Sequence, residues 1–370
     1  MKKSTIFLFK SFNDVDHIAP LLWYSLTKGE KIVVICYGKS NIGSNKILQQ
    51  IISNHTLKFI SLTNKNLFTK LLFWNFFSSI IFLITHGVEN VIFDWFRPSL
   101  RDLKGHIFFA AKFLNIKTFA LPHGYFIYLS DNFNDSSNKS GVESSFSKRN
   151  KINRYYLNNI VQQNIFVNRG LDINICMING NMRFSKMWHN ELMQNYYNPP
   201  KKYFKILFFT PHWSYNVDKA KTLSLLDGLI ELFPPNKFAI IEHTRGSGGL
   251  EDIKYSKYKI NSNFLSGELI KNTDIIICFG SSIIFEAILQ HKFVVNPRYL
   301  HSNQTIFDNY KSIKTTWNKN ETISLLSELI LNTEQIDKND YAQIIREHIY
   351  LNQNEEPIIS YYNQIFKEKN

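Results

Sequence analysis

Short runs of branched apolar residues alternate along this chain with stretches whose apolar positions recur every three or four residues. In the first half, STIFLF, KIVVICYG, VENVIFDW, IKTFALPHG and NIFVNRG have the composition of buried strands, and HIAPLLWYSLTKG, KILQQIISN and LKGHIFFAAKFLN the period of amphipathic helices. A second series begins after NYYNPPKK. There YFKILFFTPHW reads as a strand and KAKTLSLLDGLIELF as a helix that Pro234 and Pro235 end. KFAIIEHTRG and DIIICFGSS are further strands, each closing on polar residues, and the helical stretches ETISLLSELILN and YAQIIREHIYLNQ finish the series. This alternation predicts an α/β fold with parallel sheets in two doubly wound, Rossmann-like halves. The expected boundaries are 1–198 for the first domain, 199–350 for the second, and 351–370 for a C-terminal helix packing back on the first. Ser130 to Lys151 is rich in Ser and Asn and is expected to be a surface loop of the first domain.

One apolar stretch departs from the pattern. LLFWNFFSSIIFLIT, Leu71 to Thr85, is shorter than the roughly 20 residues of a membrane-spanning helix, and Asn75, Ser78 and Ser79 interrupt it. A buried core helix is the expectation. The alternative is a helix lying on an inner-membrane surface, because Lys65 and Lys70 precede its aromatic residues.

Composition narrows the class. At 370 residues the chain exceeds the usual single core, and 44% hydrophobic content is ample for globular packing. Cys36, Cys176 and Cys278 lie far apart in apolar runs without metal-ligand spacing, so buried thiols in a reducing, cytoplasmic setting are expected. The basic start, MKKSTIFLFKSFND, lacks the long apolar run and small-residue cleavage site of a signal peptide. A net charge of +13 calls for anionic partners. Nucleic acid is not expected among them, because the basic residues are scattered and no zinc-finger, RRM or helix-turn-helix pattern occurs. Nucleotide-activated donors, lipid-linked pyrophosphates and an acidic membrane face all suit the charge. No G-x-G-x-x-G follows the first strand and no Walker A pattern occurs, which disfavours dinucleotide redox chemistry and P-loop hydrolysis.

Ligands of open α/β sheets bind beyond the carboxyl ends of the strands. The second half places TPHWS, with Thr210, His212 and Ser214, at one such end, and EHTRGSGG, with Glu242, His243, Thr244 and Arg245, at another. A third carries Gly280, Ser281 and Ser282, where the glycine lets the backbone turn and the serines can cap a helix and hold a phosphate. Glu286, one turn further, can accept hydrogen bonds from ribose hydroxyls, and Arg298 after the next strand is either a further phosphate contact or a surface arginine. A plain serine cap with a solvated glutamate is the competing reading. In the first half, His123 before Gly124 can act as a general base, with Asp94 of IFDWFRP orienting it or serving as base or nucleophile itself. Local turn hydrogen bonding is the alternative for both. Asp14 and Asp16 of NDVDHIAP have the look of a D-x-D metal pair, but capping of the following helix explains them better, and no other His/Cys/Asp cluster has metal spacing.

CFGSSIIFEAILQHKFVVNPR resembles the donor-site element of GT-B glycosyltransferases, especially those of bacterial capsule and lipopolysaccharide synthesis, and of the glycerophosphotransferases of teichoic acid synthesis. LPHG near His123 and INGNMRFSKMW are similar to the acceptor-domain histidine motif and the interdomain segment of the same enzymes. The resemblance implies two Rossmann-like domains facing a central cleft. It implies a nucleotide-sugar donor of CMP, CDP or UDP type at Ser281, Ser282 and Glu286, a glycan or lipid-linked acceptor near His123, and no bound metal or other cofactor. Thr244 stands where the capsule transferases and glycerophosphotransferases carry the proline of a His-Pro pair. A CDP-linked polyol-phosphate transferase, a sugar-nucleotide 2-epimerase and a non-catalytic assembly protein are the alternatives.

Overall fold

In a computed structural model the chain is described over residues 3–37, 42–62, 75–129, 145–213, 216–243, 249–260, 264–331 and 336–368, the side chain of Asn13 excepted. It divides into one unit of Met1–Tyr125, Glu143–Leu192 and His348–Asn370 and another of Phe126–Val142 and Met193–Glu347.

The first unit opens with strand β1 (Ser4–Phe9), helix α1 (Phe12–Thr27), β2 (Lys31–Cys36), α2 (Lys46–Asn54) and β3 (Lys58–Ser61). It continues through α3 (Phe76–Thr85), β4 (Val88–Asp94), α4 (Leu103–Phe113) and β5 (Lys117–Leu121), then β6 (Arg154–Leu157), α5 (Ile160–Asn168), β7 (Cys176–Ile178) and α6 (Lys186–Glu191). Its sheet is parallel throughout, in the order β3-β2-β1-β4-β5-β6-β7. The strands read as near-continuous apolar runs because helices cover both faces; every residue of β1 is buried. The strand order reverses between β1 and β4, which makes the carboxyl ends of these two strands the switch point where an open α/β sheet leaves a crevice.

The second unit contains β8 (Phe204–Phe209), α7 (Lys219–Leu232), β9 (Phe238–Ile241), α8 (Ser266–Lys271), β10 (Thr273–Ile277), α9 (Ile283–Leu289), β11 (Phe293–Pro297), β12 (Ile313–Thr316) and α10 (Lys319–Leu331). Helix α11 (Lys338–His348) spans the return of the chain to the first unit, which α12 (Pro357–Tyr362) then joins. The sheet is again parallel, ordered β12-β11-β10-β8-β9, with its switch point between β8 and β10. Ile206, Phe208, Ile240, Ile275, Ile277 and Val295 form the centre of its core.

Within the first unit the C-terminal segment packs on α1. Tyr362 meets Tyr24 edge-on at 5.2 Å and donates to Glu30 at 2.8 Å, while the buried Tyr361 lies against Tyr156.

Three expectations change. NIFVNRG is not a strand: Asn159 caps the amide of Gln162 and starts α5, so Phe166 is buried from a helix, and the strands of this region are the shorter β6 and β7. Leu71 to Thr85 is not a wholly buried helix. Residues 71–74 lie outside the described residues, and α3 exposes Phe77, Ile81 and Ile84. Much of Ser130 to Lys151 also lies outside them, but Ser147–Lys151 is a single 3₁₀ turn, at the surface except for one residue. It buries Arg149, whose guanidinium stacks 4.5 Å from Phe146 and whose Nε donates to the Tyr155 hydroxyl. The three cysteines are buried thiols, and burial pushes Cys36 up to about 12.

Candidate functional site

The switch point of the first unit gathers three side chains that are distant in sequence. Asp14 arrives from the first turn of α1, Asp94 is the last residue of β4, and His123 follows β5. One ligating atom from each lies within 4.8 Å of the others. His123 Nδ1 is 2.9 Å from Asp94 Oδ2 and 3.1 Å from Oδ1. A carboxylate accepting from Nδ1–H fixes the tautomer and leaves Nε2 as the basic nitrogen. The Asp94 side chain is 7% exposed and that of His123 34%, so the acid is enclosed while the imidazole reaches solvent. Such an arrangement can serve as a positioned base, one partner holding and the other open to a ligand.

The backbone around the pair is unusual. Trp95, directly after Asp94, has φ +28°, a value costly for an aromatic residue, and its amide is held by the Leu121 carbonyl at 3.0 Å. Gly124, directly after His123, has φ +76°, which a glycine adopts without that cost. Its carbonyl accepts from Asn158 Nδ2 at 2.7 Å, and Asn158 Oδ1 accepts in turn from Asn181 at 2.8 Å. The histidine is therefore carried on a turn clamped by two buried asparagines.

Asp14 and Lys104 complete the site; the sequence offered Asp14 as one half of a metal pair or, better, as a helix cap, and gave Lys104 no role. Asp14 does cap: in a capping box with Ser11 it accepts from the amides of Lys10 and Ser11. It is also only 1% exposed and hydrogen-bonded to Asp94. Buried Lys104 donates to the Asp94 carbonyl at 3.2 Å. Burial pushes the Asp14 carboxyl up, but the Lys104 charge and the hydrogen bonds from Ser11, Asp94 and Lys10 outweigh it and hold Asp14 below the carboxylate range. Asp94 moves the other way, because burial and the Asp14 charge outweigh His123 and Lys104. The two acids are thus driven apart, which is how one fold keeps neighbouring carboxyls in different roles. The signal for Asp14 in the sequence was its place just after β1; that β1 and β4 are neighbours emerges only with the strand order.

Among the described residues, Asp14, Asp94 and His123 are the group that could hold a metal ion. Sequence spacing shows no such cluster, since the residues come together only on folding. Asp14 nonetheless spends its oxygens on two amides and the Ser11 hydroxyl, with an ammonium already opposite, which makes it a poor donor for a cation.

In the second unit, Thr210 and His212 follow β8, His243 follows β9, and Gly280, Ser281 and Ser282 follow β10, so the β8/β10 switch point carries most of the residues expected there. Thr210 accepts from the His243 amide at 2.9 Å, and the His212 and His243 rings meet edge-on at 5.3 Å. Ser214, Thr244 and Arg245 lie outside the described residues. Gly280 has φ +57°, and a Cβ there would come within 2.6 Å of the His301 ring, so the site demands glycine twice over. His301 itself stacks on Tyr128 at 5.7 Å. Ser281 accepts from the Ile283 amide, and Ser282 is the N-cap residue without a side-chain cap hydrogen bond. Helix α9 has only seven residues, so its dipole contributes less than the sequence pattern suggests. Glu286 is buried rather than solvated. Arg298 is committed elsewhere: its Nε donates to Asp308 at 2.7 Å and its Nη1 to the His301 carbonyl, so it braces the loop behind Gly280.

No protein-family profile matches the chain, and no curated protein matches it. Solved structures do. The wall teichoic acid polymerase TagF is similar with a TM-score of 0.61 at 13% identity, over 99% of this chain and 88% of that one. Anabaena Alr3699/HepE, solved in complex with UDP and glucose, matches with a TM-score of 0.57 at 13% identity, over 98% of each chain. The UDP-GlcNAc 2-epimerase of Methanocaldococcus jannaschii matches with a TM-score of 0.56 at 13% identity, over 93% and 98%. At such identities the likeness concerns architecture: the fold is α/β of GT-B type, with two Rossmann-like parallel units.

Proposed function

We propose that the chain is a glycosyltransferase that moves a sugar from a nucleotide-activated donor to a hydroxyl of a glycan or lipid-linked acceptor in bacterial capsule or lipopolysaccharide synthesis. The observation that carries this reading is the His123–Asp94 pair, 2.9 Å apart at a sheet switch point, with its acid enclosed and its imidazole reaching solvent. His123 Nε2 takes the proton of the acceptor hydroxyl as that oxygen bonds to the anomeric carbon. The bond from that carbon to the donor phosphate breaks, and its electron pair leaves with the nucleotide. Asp94 stabilises the imidazolium so formed, and Asp14 with Lys104 holds Asp94 in place. In the second unit, Thr210, His212, His243, Arg245, Gly280, Ser281, Ser282 and Glu286 bind the donor, a CMP, CDP or UDP derivative; the complex of the similar HepE with UDP and glucose supports the donor class. The reading invokes no metal or other cofactor; its support is that Lys104 brings a positive charge beside Asp94 and that Asp14 already accepts from two amides and the Ser11 hydroxyl.

A second reading, transfer of a polyol phosphate with attack at phosphorus, is favoured by the likeness to TagF. The epimerase reading draws on the two neighbouring carboxyls, but Asp14, hydrogen-bonded and held below the carboxylate range, makes a weak base.

The test is incubation with a panel of nucleotide sugars and CDP-polyols in the presence of acceptor glycans. Acceptor-dependent release of free nucleotide is expected, and His123→Ala should lower it by about 10²–10⁴-fold. Undiminished transfer by both His123→Ala and Asp94→Ala would sink the reading. Conversion of UDP-GlcNAc into a second UDP-sugar, without nucleotide release, would replace it with the epimerase.

A further inference from the structure

Helix α3 turns an apolar face to solvent. Phe77, Ile81 and Ile84 are 74%, 63% and 61% exposed, and steps of four and three residues put them on one stripe. On α4, Phe113 is 71% exposed, and its ring meets Phe76 edge-on at 5.9 Å, which joins it to the start of that stripe. Scattered apolar residues on a surface are ordinary, but a contiguous patch of large ones marks a partner.

The surrounding charge says which partner. From His55 to Gly87, and again from Leu103 to Lys117, the sequence contains no Asp or Glu. Exposed lysines border the two helices. Lys58 reaches His86 at the C-terminal end of α3, Lys112 precedes Phe113, and Lys151 lies 5.9 Å from the Phe109 ring on α4. A second copy of the chain would bring the same basic face against itself, on a molecule of net charge +13. An anionic bilayer satisfies both features, with acyl chains for the stripe and phosphate headgroups for the rim. Among the described residues no helix is long and apolar enough to cross a membrane, so the contact is peripheral.

We infer that the α3/α4 face docks the protein on an anionic lipid surface, with Phe77, Ile81, Ile84 and Phe113 entering the headgroup boundary. This holds whichever reaction the chain catalyses. The test is co-sedimentation of the full chain with vesicles of phosphatidylglycerol and phosphatidylcholine, against vesicles of phosphatidylcholine alone. Binding to the anionic vesicles is expected, with partitioning reduced about tenfold or more by Phe77→Ser/Ile81→Ser/Ile84→Ser. The pair Lys58→Glu/Lys112→Glu should weaken binding to anionic vesicles alone, and it tests the same face should the triple variant fold poorly. The circular dichroism spectrum and the thermal unfolding midpoint report that each variant is folded. A wild-type protein that stays in the supernatant with anionic vesicles overturns the inference, as does a well-folded triple variant that sediments like wild type. Light scattering that shows a dimer, dissolved by the triple variant without vesicle binding, assigns the face to a second copy and overturns it equally.

Discussion

Replacing Asp94 with asparagine should separate what the site costs the fold from what it gives the reaction. Asparagine has nearly the same shape: its Oδ1 can still accept from His123 Nδ1, keeping one of the two contacts at 2.9 and 3.1 Å, and its Nδ2 can donate to Asp14. What disappears is a buried negative charge beside another. At the 4.8 Å that bounds the cluster, two carboxylates at an effective dielectric near 20 repel by roughly 3.5 kcal/mol. Lys104, donating to the Asp94 carbonyl, offsets part of this, and a net stabilisation of about 1–2 kcal/mol remains for Asp94→Asn at pH 8. For a domain of this size that raises Tm by roughly 2–4 °C per kcal/mol. Transfer should fall by about 10²–10⁴-fold, because a neutral amide does not stabilise the imidazolium. The pH dependence carries the sign. The folded-state pKa of Asp94 is raised, so its ionisation penalises the wild-type fold above that pKa, and the penalty vanishes as the acid protonates. The advantage of Asp94→Asn should therefore shrink as pH falls and be gone near pH ~4. The Asp14 contribution runs oppositely. Its pKa is depressed, so its stabilisation persists above the ordinary carboxylate range and is lost only at lower pH. Differential scanning fluorimetry from pH 8 to pH 4 reads all of this. A lowered Tm at pH 8, or a gain independent of pH, would refute the electrostatic argument.

Removing the cation should do the reverse: Lys104→Met leaves two buried carboxyls uncompensated and should cost about 3–5 kcal/mol in denaturant unfolding, with Asp94→Asn restoring part of the loss in the double variant. Gly280→Ala places a methyl group within 2.6 Å of the His301 ring at a positive φ. It should destabilise by about 1–3 kcal/mol and abolish the thermal shift given by UDP, which for a site filled at a hundred times Kd amounts to about 2.7 kcal/mol.

The doubly wound architecture was legible because fully buried parallel strands announce themselves as unbroken apolar runs; β1, β2, β4, β5, β8 and β10 all fall where those runs do. β6 and β7 escaped, being four and three residues long, and NIFVNRG misled because a short apolar segment has no period that separates strand from helix. His123 and Asp94 could be singled out because each closes a strand. Their contact, 29 residues apart in sequence, needed the β4–β5 pairing, and the share of Asp14 needed the β1–β4 neighbourhood. Arg298 shows the opposite limit: a strand-end arginine suggests a phosphate, but only the fold shows Asp308 beside it. For α3 the sequence left a buried and a surface helix open, and only the fold shows that Phe77, Ile81 and Ile84 face outward.

The first unit is written in three separate stretches of the sequence, and the last supplies Tyr361 and Tyr362, which buttress the helix whose opening turn bears Asp14. Because a ribosome delivers residues in order, that prop emerges after the other unit. The amino-terminal sheet must wait, partly unsupported, until the whole of the other unit has been made, so the corner that carries Asp14 matures only after it.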